Sequence, residues 1–357
     1  MPPQATLALL VGGAGGLAAR WVGLPGGALV GAILAAGAAS LLTRWLREPP
    51  SWLRSVARIV LGLTIGVSIS TETLAQVARA LPAVALMVAA MIAFGMLLAR
   101  AISRLARMDL ASALCGTTPG GLAAMVALAD DLGADARLVA SMQLVRMLSI
   151  VLLMPILAHT VFEPVTLTGA LAAPRAAPGP YSVAALALLL LLGLVAGAVA
   201  MRIRLPAGEM LAGLALGALA GRHWLGLGSL PAGWQFFAQW IIGAGVGARV
   251  TQKMLAEFRP FALAGSLMTV ALLSAGLAVG LLMRALTGLD LATCVIGSAP
   301  GGAEQMVLLA GELGGDVRLV AAMHISRQVV LMVGLPFLLR TLTPAQSKQP
   351  CPMPEPD

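Results

Sequence analysis

The chain has 357 residues, of which 59% are apolar and only 11% charged. A soluble domain carries about 25% charged residues, so this balance excludes a soluble globular domain and marks a polytopic membrane protein. The formal charge of +8 is almost all Arg lying between apolar segments, where it serves topology and contact with anionic membrane lipid, and nucleic acid is not an expected partner.

The first apolar stretch follows Met1-Pro2-Pro3-Gln4, which has no basic n-region, and reads as a membrane helix rather than a removable signal. Apolar segments run near 5–20, 22–43, 52–70, 78–103, 109–131 and 135–161. A second set runs near 181–201, 205–221, 234–250, 256–285, 290–312 and 316–340. A Pro- and Gly-rich linker, 162–180, separates them, and the polar, Pro-rich stretch 342–357 reads as a disordered tail. The expected fold is all-α, with a first membrane repeat over 1–161, a second over 181–341, and ten to twelve crossings. Cys115 and Cys294 fall in apolar segments and Cys351 in the tail, with no CxxC, so neither a disulfide framework nor a zinc cage is expected.

The two sets are copies. An offset of 181 residues takes Pro119 to Pro300, Leu24-Pro25 to Leu205-Pro206, Gly27 to Gly208, and Gly62 and Gly66 to Gly243 and Gly247. From Gly116 to Leu157 about 19 of 42 positions are identical without a gap. Internal duplication is the usual mark of transporter architecture. The basic loops of the first copy (Arg44, Arg47, Arg54 and Arg58, then Arg100, Arg104 and Arg107) follow its second and fourth segments. Those of the second copy (Arg202 and Arg204, then Arg249, Lys253 and Arg259) follow the counterparts of the first and third. Opposite bias in equivalent loops points to inverted copies. Inversion needs an odd number of crossings per copy, whereas six segments are counted. The short ones at 5–20 and 52–70 are the candidates for incomplete crossing.

Each copy interrupts its fifth segment, at Pro119-Gly120-Gly121 and at Pro300-Gly301-Gly302. Pro and Gly unwind the helix, and unwound backbone at membrane depth is tolerated only inside protein or beside a wet cavity. A matched pair of breaks is therefore expected to meet near the midplane at a binding site, with half-helix N-termini that suit an anion. Thr117, Thr118 and Ser298 precede the prolines, and their hydroxyls either line the site or bond back to helix carbonyls. Glu304 and Gln305 follow the second break. Glu304 binds a cation or a coupling proton, or else complements a helix dipole. In the next segment Gln143 and Arg146 share a helix face, as do His324 and Arg327 at the matching positions. Arg146 and Arg327 either hold an anionic group bidentately or form structural ion pairs, for example Arg327 with Glu304. His324 reads as a packed hydrogen-bonding residue before a proton carrier. Asp130, Asp131, Glu312 and the pairs Asp135/Arg137 and Asp316/Arg318 read as solvated caps at the membrane surface, with a cation site as the alternative for Asp130.

The duplicated pattern of Thr117-Thr118-Pro119-Gly120-Gly121, the Leu-Gly-Ala-Asp turn ending at Asp135, Arg137-Leu138-Val139-Ala140, Gln143, Arg146 and Pro155 resembles the AbrB-type family of duplicated bacterial inner-membrane proteins. The resemblance spans nearly the whole chain and implies a membrane protein. Names attached to that family imply ammonia monooxygenase activity or regulation of gene expression. The first conflicts with the residues here, because His159, His223 and His324 lie in separate segments with no ligand spacing. More distantly the pattern is similar to the bile-acid/sodium symporter and cation–proton antiporter superfamily. That likeness implies inverted repeats, crossed broken helices and a core domain moving against a dimerising scaffold. Those symporters follow the break with Ser-Asn where this chain has Ala123-Ala124 and Glu304-Gln305, so sodium coupling does not carry over.

The expectation is a multi-pass protein of the bacterial inner membrane, not an enzyme, without cofactor or metal. It would act as a secondary, elevator-like transporter of a small anionic metabolite, with or without a coupled ion. The Leu24-Pro25-Gly26-Gly27 and Leu205-Pro206-Ala207-Gly208 segments would form scaffold or homodimer contacts. The alternative is a membrane ligand sensor that regulates gene expression without transport.

Overall fold

The computed structural model describes residues 1–43, 45–161, 182–203, 205 and 207–342. The linker at 162–180, the tail beyond Leu342, and Arg44, Arg204 and Pro206 lie outside the described residues. Helices form wherever an apolar segment lacks Gly-Pro punctuation. The first copy has α1 (Pro3–Trp21), α2 (Gly27–Thr43), α3 (Ser51–Gly66), α4 (Thr71–Ala106), α5 (Leu110–Thr117), α6 (Leu122–Asp131) and α7 (Ala136–Val161). The second has α8 (Val183–Arg202), α9 (Gly208–Leu216, running on as a π-helix to Trp224) and α10 (Ala232–Gly247). It continues with α11 (Gln252–Phe258), α12 (Ala262–Thr287), α13 (Leu291–Ser298), α14 (Ala303–Ala310) and α15 (Val317–Leu342). Among the described residues, five stretches are long and apolar enough to span a bilayer: α4, α7, α8, the α11–α12 run and α15. The chain is an all-α polytopic membrane protein.

Helix ends recur at the spacing seen in the sequence. The start and end of α5 and α7 each lie 181 residues before those of α13 and α15. Contacts recur too, with partners exchanged between the copies. A Cβ placed on Gly62 or Gly66 of α3 would meet the carbonyl of Met210 or Leu214 on α9. A Cβ on Gly243 or Gly247 of α10 would meet the carbonyl of Leu29 or Ile33 on α2. Met210 and Leu214 are themselves the counterparts of Leu29 and Ile33. Each glycine pair of one set of segments therefore rests on the counterpart of the backbone that the other pair meets. The small residues have a physical purpose, because lipid offers no hydrophobic drive for helices to associate and close backbone approach must supply the attraction.

Two bodies result. Helices α1–α3 pack with α8–α10, and helices α4–α7 pack with α11–α15. Contact between the bodies runs mainly through α14, which lies on α10 and α2, and through α15 against α3.

The interrupted segments fold back on themselves. Ser112, in the first turn of α5, accepts a hydrogen bond on Oγ from the Asp135 amide just after α6, at 2.9 Å. Thr293 Oγ1 and the Asp316 amide make the same bond at 2.6 Å in the second copy. The two ends of each broken segment therefore sit together, and α5–α6 and α13–α14 are helical hairpins with Pro-Gly-Gly at the tip. An eight-residue arm reaches about 12 Å, close to half of a hydrocarbon core of about 30 Å. The broken segments are 109–131 and 290–312, while the short segments at 5–20 and 52–70 carry the unbroken helices α1 and α3. Beside its hairpin, each set of segments holds five continuous helical runs among the described residues.

Two outcomes follow from this geometry. In sealed vesicles, single cysteines at Asp109 and Gly133, in a background without the native cysteines, label from the same side, and labelling from opposite sides rules the hairpin out. Gly62→Ala lowers unfolding stability in detergent by about 1–3 kcal/mol through overpacking. Gly233→Ala, where a Cβ meets nothing within 4 Å, changes it by less than about 1 kcal/mol.

Candidate functional site

The site is assembled where α7 and α15 run beside the hairpin tips. The residues before Pro119 and Pro300, Thr118 and Ala299, are extended (ψ 126° and 137°), as the proline ring requires. That conformation ends α5 and α13 and leaves their last carbonyls without helical partners. Side chains one turn apart on the next helix satisfy them. Gln143 Nε2 donates to Cys115 O at 2.6 Å and Thr118 O at 2.8 Å. Arg146 donates to Thr117 O at 3.0 Å and to Gln143 Oε1 at 2.7 Å. In the second copy Arg327 donates to Ala299 O at 2.8 Å and Gly301 O at 3.3 Å.

His324 stands where the first copy has Gln143, and it does the same work. Its Nδ1 lies 2.9 Å from an Arg327 nitrogen and its Nε2 lies 2.9 Å from Ile296 O. A guanidinium has no acceptor, so Nδ1 must be the acceptor and Nε2 must carry the hydrogen. The ring is therefore held neutral, as an imitation of the Gln143 amide.

These groups are fully enclosed. Arg146 and Arg327 are 3% and 2% exposed. Neither makes an ion pair among the described residues, and the Nε of each is buried without a hydrogen-bond partner. Both line a cavity of about 320 Å³ that lies between the two bodies. Pro119, Gly121, Gln143, Gly301, Gly302, Glu304, Gln305 and His324 also line it. The tips meet across the copies: a Cβ on Gly121 would lie 3.1 Å from Gln328, and one on Gly302 would lie 3.4 Å from Met147. Met147 and Gln328 are equivalent positions. Gly121 is also held at φ 92°, a conformation that disfavours any side chain.

Five predicted residues stand outside the lining of this cavity. Thr117 Oγ1 donates to Leu114 O and to Gly95 O on α4, and Ser298 Oγ makes the matching bonds to Val295 O and Gly276 O on α12. These hydroxyls tie each hairpin to a long helix behind it. Thr118 lines a small neighbouring void of about 10 Å³, while a Cβ on Gly120 would meet Met125 and Pro300 packs by Gly276. Of the acidic turn residues, Asp135 and Asp316 bind locally, whereas Glu312 is no solvated cap and accepts from Gln239 on α10 at 2.6 Å. Asp135 accepts from the Arg137 and Leu138 amides at 3.0 Å. Burial opposes ionisation of Asp316, but hydrogen bonds from Arg318 outweigh it and hold its carboxyl below the usual carboxylate range.

Glu304 pairs with Arg58 on α3, Nε to Oε1 at 2.7 Å, and not with Arg327. Arg58 also reaches Glu209 at 2.8 Å, and Glu48 pairs with Arg54 at 2.6 Å and Arg249 at 3.0 Å. Arg54, Arg58, Glu209, Arg249 and Gln328 all line the cavity, and sequence reasoning missed them as site residues. The basic ones read as topology signals because they flank apolar runs. Glu209 carried a usable signal, being an acid in the first turn of an apolar segment.

The neutral histidine gives a direct test in thermal or denaturant unfolding. His324→Gln stays within about 1 kcal/mol of wild type, since the amide repeats both bonds, whereas His324→Ala costs about 1–3 kcal/mol by leaving Ile296 O and an Arg327 N–H unsatisfied.

With this geometry in hand, the relatives can be placed. A family model described as "Transition state regulatory protein AbrB" matches residues 29–343. The chain is 26% identical over 359 residues to "Uncharacterized protein YhjN" of Bacillus subtilis (strain 168), covering 94% of this chain and 92% of that protein. It is 30% identical over 245 residues to "Putative regulator AbrB" of Escherichia coli (strain K12), covering 64% of this chain and 65% of that protein. The match to the family model extends from α2 past both hairpins to the end of α15, and the chain belongs to the AbrB family.

Proposed function

We propose that the protein is a multi-pass carrier of the bacterial inner membrane that moves a small anionic metabolite by an elevator-like motion, without an enzymatic step. One observation carries the reading: two buried guanidinium groups, without carboxylate partners among the described residues, face a cavity between two helical bodies. An uncompensated cation at membrane depth is costly unless a ligand or water answers it. Guanidinium is the group that best matches carboxylate or phosphate.

Unequal docking of the hairpins supports movement. Helix α14 rests on α10 and α2, and Gln239 Nε2 donates to Glu312 Oε1 across that contact at 2.6 Å. Helix α6 packs on α5 and α7, with the cavity on its other side. The 181-residue correspondence makes Arg58 the counterpart of Gln239, and Asp131 the counterpart of Glu312. In the opposite state of an inverted carrier the first hairpin would dock instead. Arg58 would then leave Glu304 for Asp131.

Proteoliposomes loaded with the anionic fraction of a bacterial metabolite extract are expected to show counterflow, reduced about 100-fold or more by Arg146→Ala. Bridging cysteines at Gln239 and Glu312 with a short bifunctional thiol reagent should stop flux until it is reduced. Full flux with the bridge intact sinks the elevator motion. Binding without counterflow would favour ligand sensing, in keeping with the relative named as a regulator.

A further inference from the structure

The charges around the cavity can be paired off. Its wall holds five arginines, Arg54, Arg58, Arg146, Arg249 and Arg327. Three of them form ion pairs with three carboxylates: Arg54 and Arg249 with Glu48, and Arg58 with Glu209 and Glu304. That group sums to zero. Helix ends do not change the balance, because the C-termini of α5 and α13 and the N-termini of α6 and α14 meet at the same tips. Each contributes about half a charge of opposite sign. What remains is Arg146 and Arg327, one from each copy, enclosed and with Nε unpartnered. The two stand at equivalent positions 181 residues apart.

We propose that the ligand of this cavity is a dianion, held between Arg146 and Arg327, so that the loaded site is electrically neutral. This rests on the carrier reading only in calling the ligand a substrate, since the site itself stands on the geometry. A monoanion would leave one full charge enclosed by protein at membrane depth, and that residue of cost separates the two classes of ligand. The cavity of about 320 Å³ lies at the lower end of the usual range for small-molecule sites. Two chemistries supply two negative charges at this size: a single oxyanion centre, and a short chain with a carboxylate at each end.

The probes are sulfate for the single centre, malonate and succinate for the two-ended ligand, and acetate, butyrate and chloride as monoanions. Thermal stabilisation of the purified full-length protein reads binding, and counterflow in proteoliposomes reads transport. The dianion class should bind about tenfold or more tightly than any monoanion. Sulfate above succinate assigns a single centre, and the reverse order assigns a two-ended ligand. Arg327→Gln should remove most of the preference for dianions while monoanion binding stays within about threefold. Arg327→Lys should keep part of the preference. A purely structural arginine would lower both classes equally in Arg327→Gln, and that result overturns the proposal. So does equal binding of monoanions and dianions by the unaltered protein, whatever the flux. Dianion binding without counterflow leaves the dianion site in place and removes the carrier reading alone.

Discussion

The arrangement depends on hydrogen bonds from side chains of α7 and α15 to the carbonyls left bare where α5 and α13 end. Proline forces the preceding residue out of the helix, and hydrocarbon offers no water to replace the lost backbone partners. Gln143 with Arg146, and His324 with Arg327, supply the donors. These bonds permit a chain tip to stay unwound inside the protein. They also bring two full positive charges to a place that needed only polar donors. The excess charge makes the break more than a structural device.

Packing then decides where that charge sits. Glycines at Gly62, Gly66, Gly243 and Gly247 let α3 and α10 press against the backbones of α9 and α2. The helices so joined form one body, and the hairpins with the long helices behind them form the other. The two bodies touch through α14 and α15, and the cavity lies between them. The ion pair of Arg58 with Glu304 spans this boundary and so ties the second tip to α3. Among the described residues no ion pair tethers the first tip, where the sequence has Ala123 at the position of Glu304. The two copies therefore hold unequal positions, and the difference traces to particular residues.

Much of this was legible in the residues. Hydrocarbon's intolerance of charge made the membrane class plain, the 181-residue offset exposed the copies, and the Pro-Gly-Gly elements with Gln143, Arg146, His324 and Arg327 marked the tips. Those signals are local: a residue type that breaks a helix or is costly in lipid is visible wherever it stands. The direction in which a hydroxyl turns is not. Thr117 and Ser298 adjoin the break in sequence, yet bond to Gly95 and Gly276 behind it.

By itself, then, the sequence determined an all-α membrane chain, its division into two sets of segments, and the location of the interruptions, since each follows from composition and covalent backbone limits. The tertiary structure alone decided that each interruption is a hairpin tip, that Glu304 answers Arg58 and not Arg327, and that Arg54, Glu209 and Arg249 belong to the cavity. Those outcomes rest on contacts between residues as many as about 250 positions apart, and no local rule of periodicity or propensity reaches across that distance.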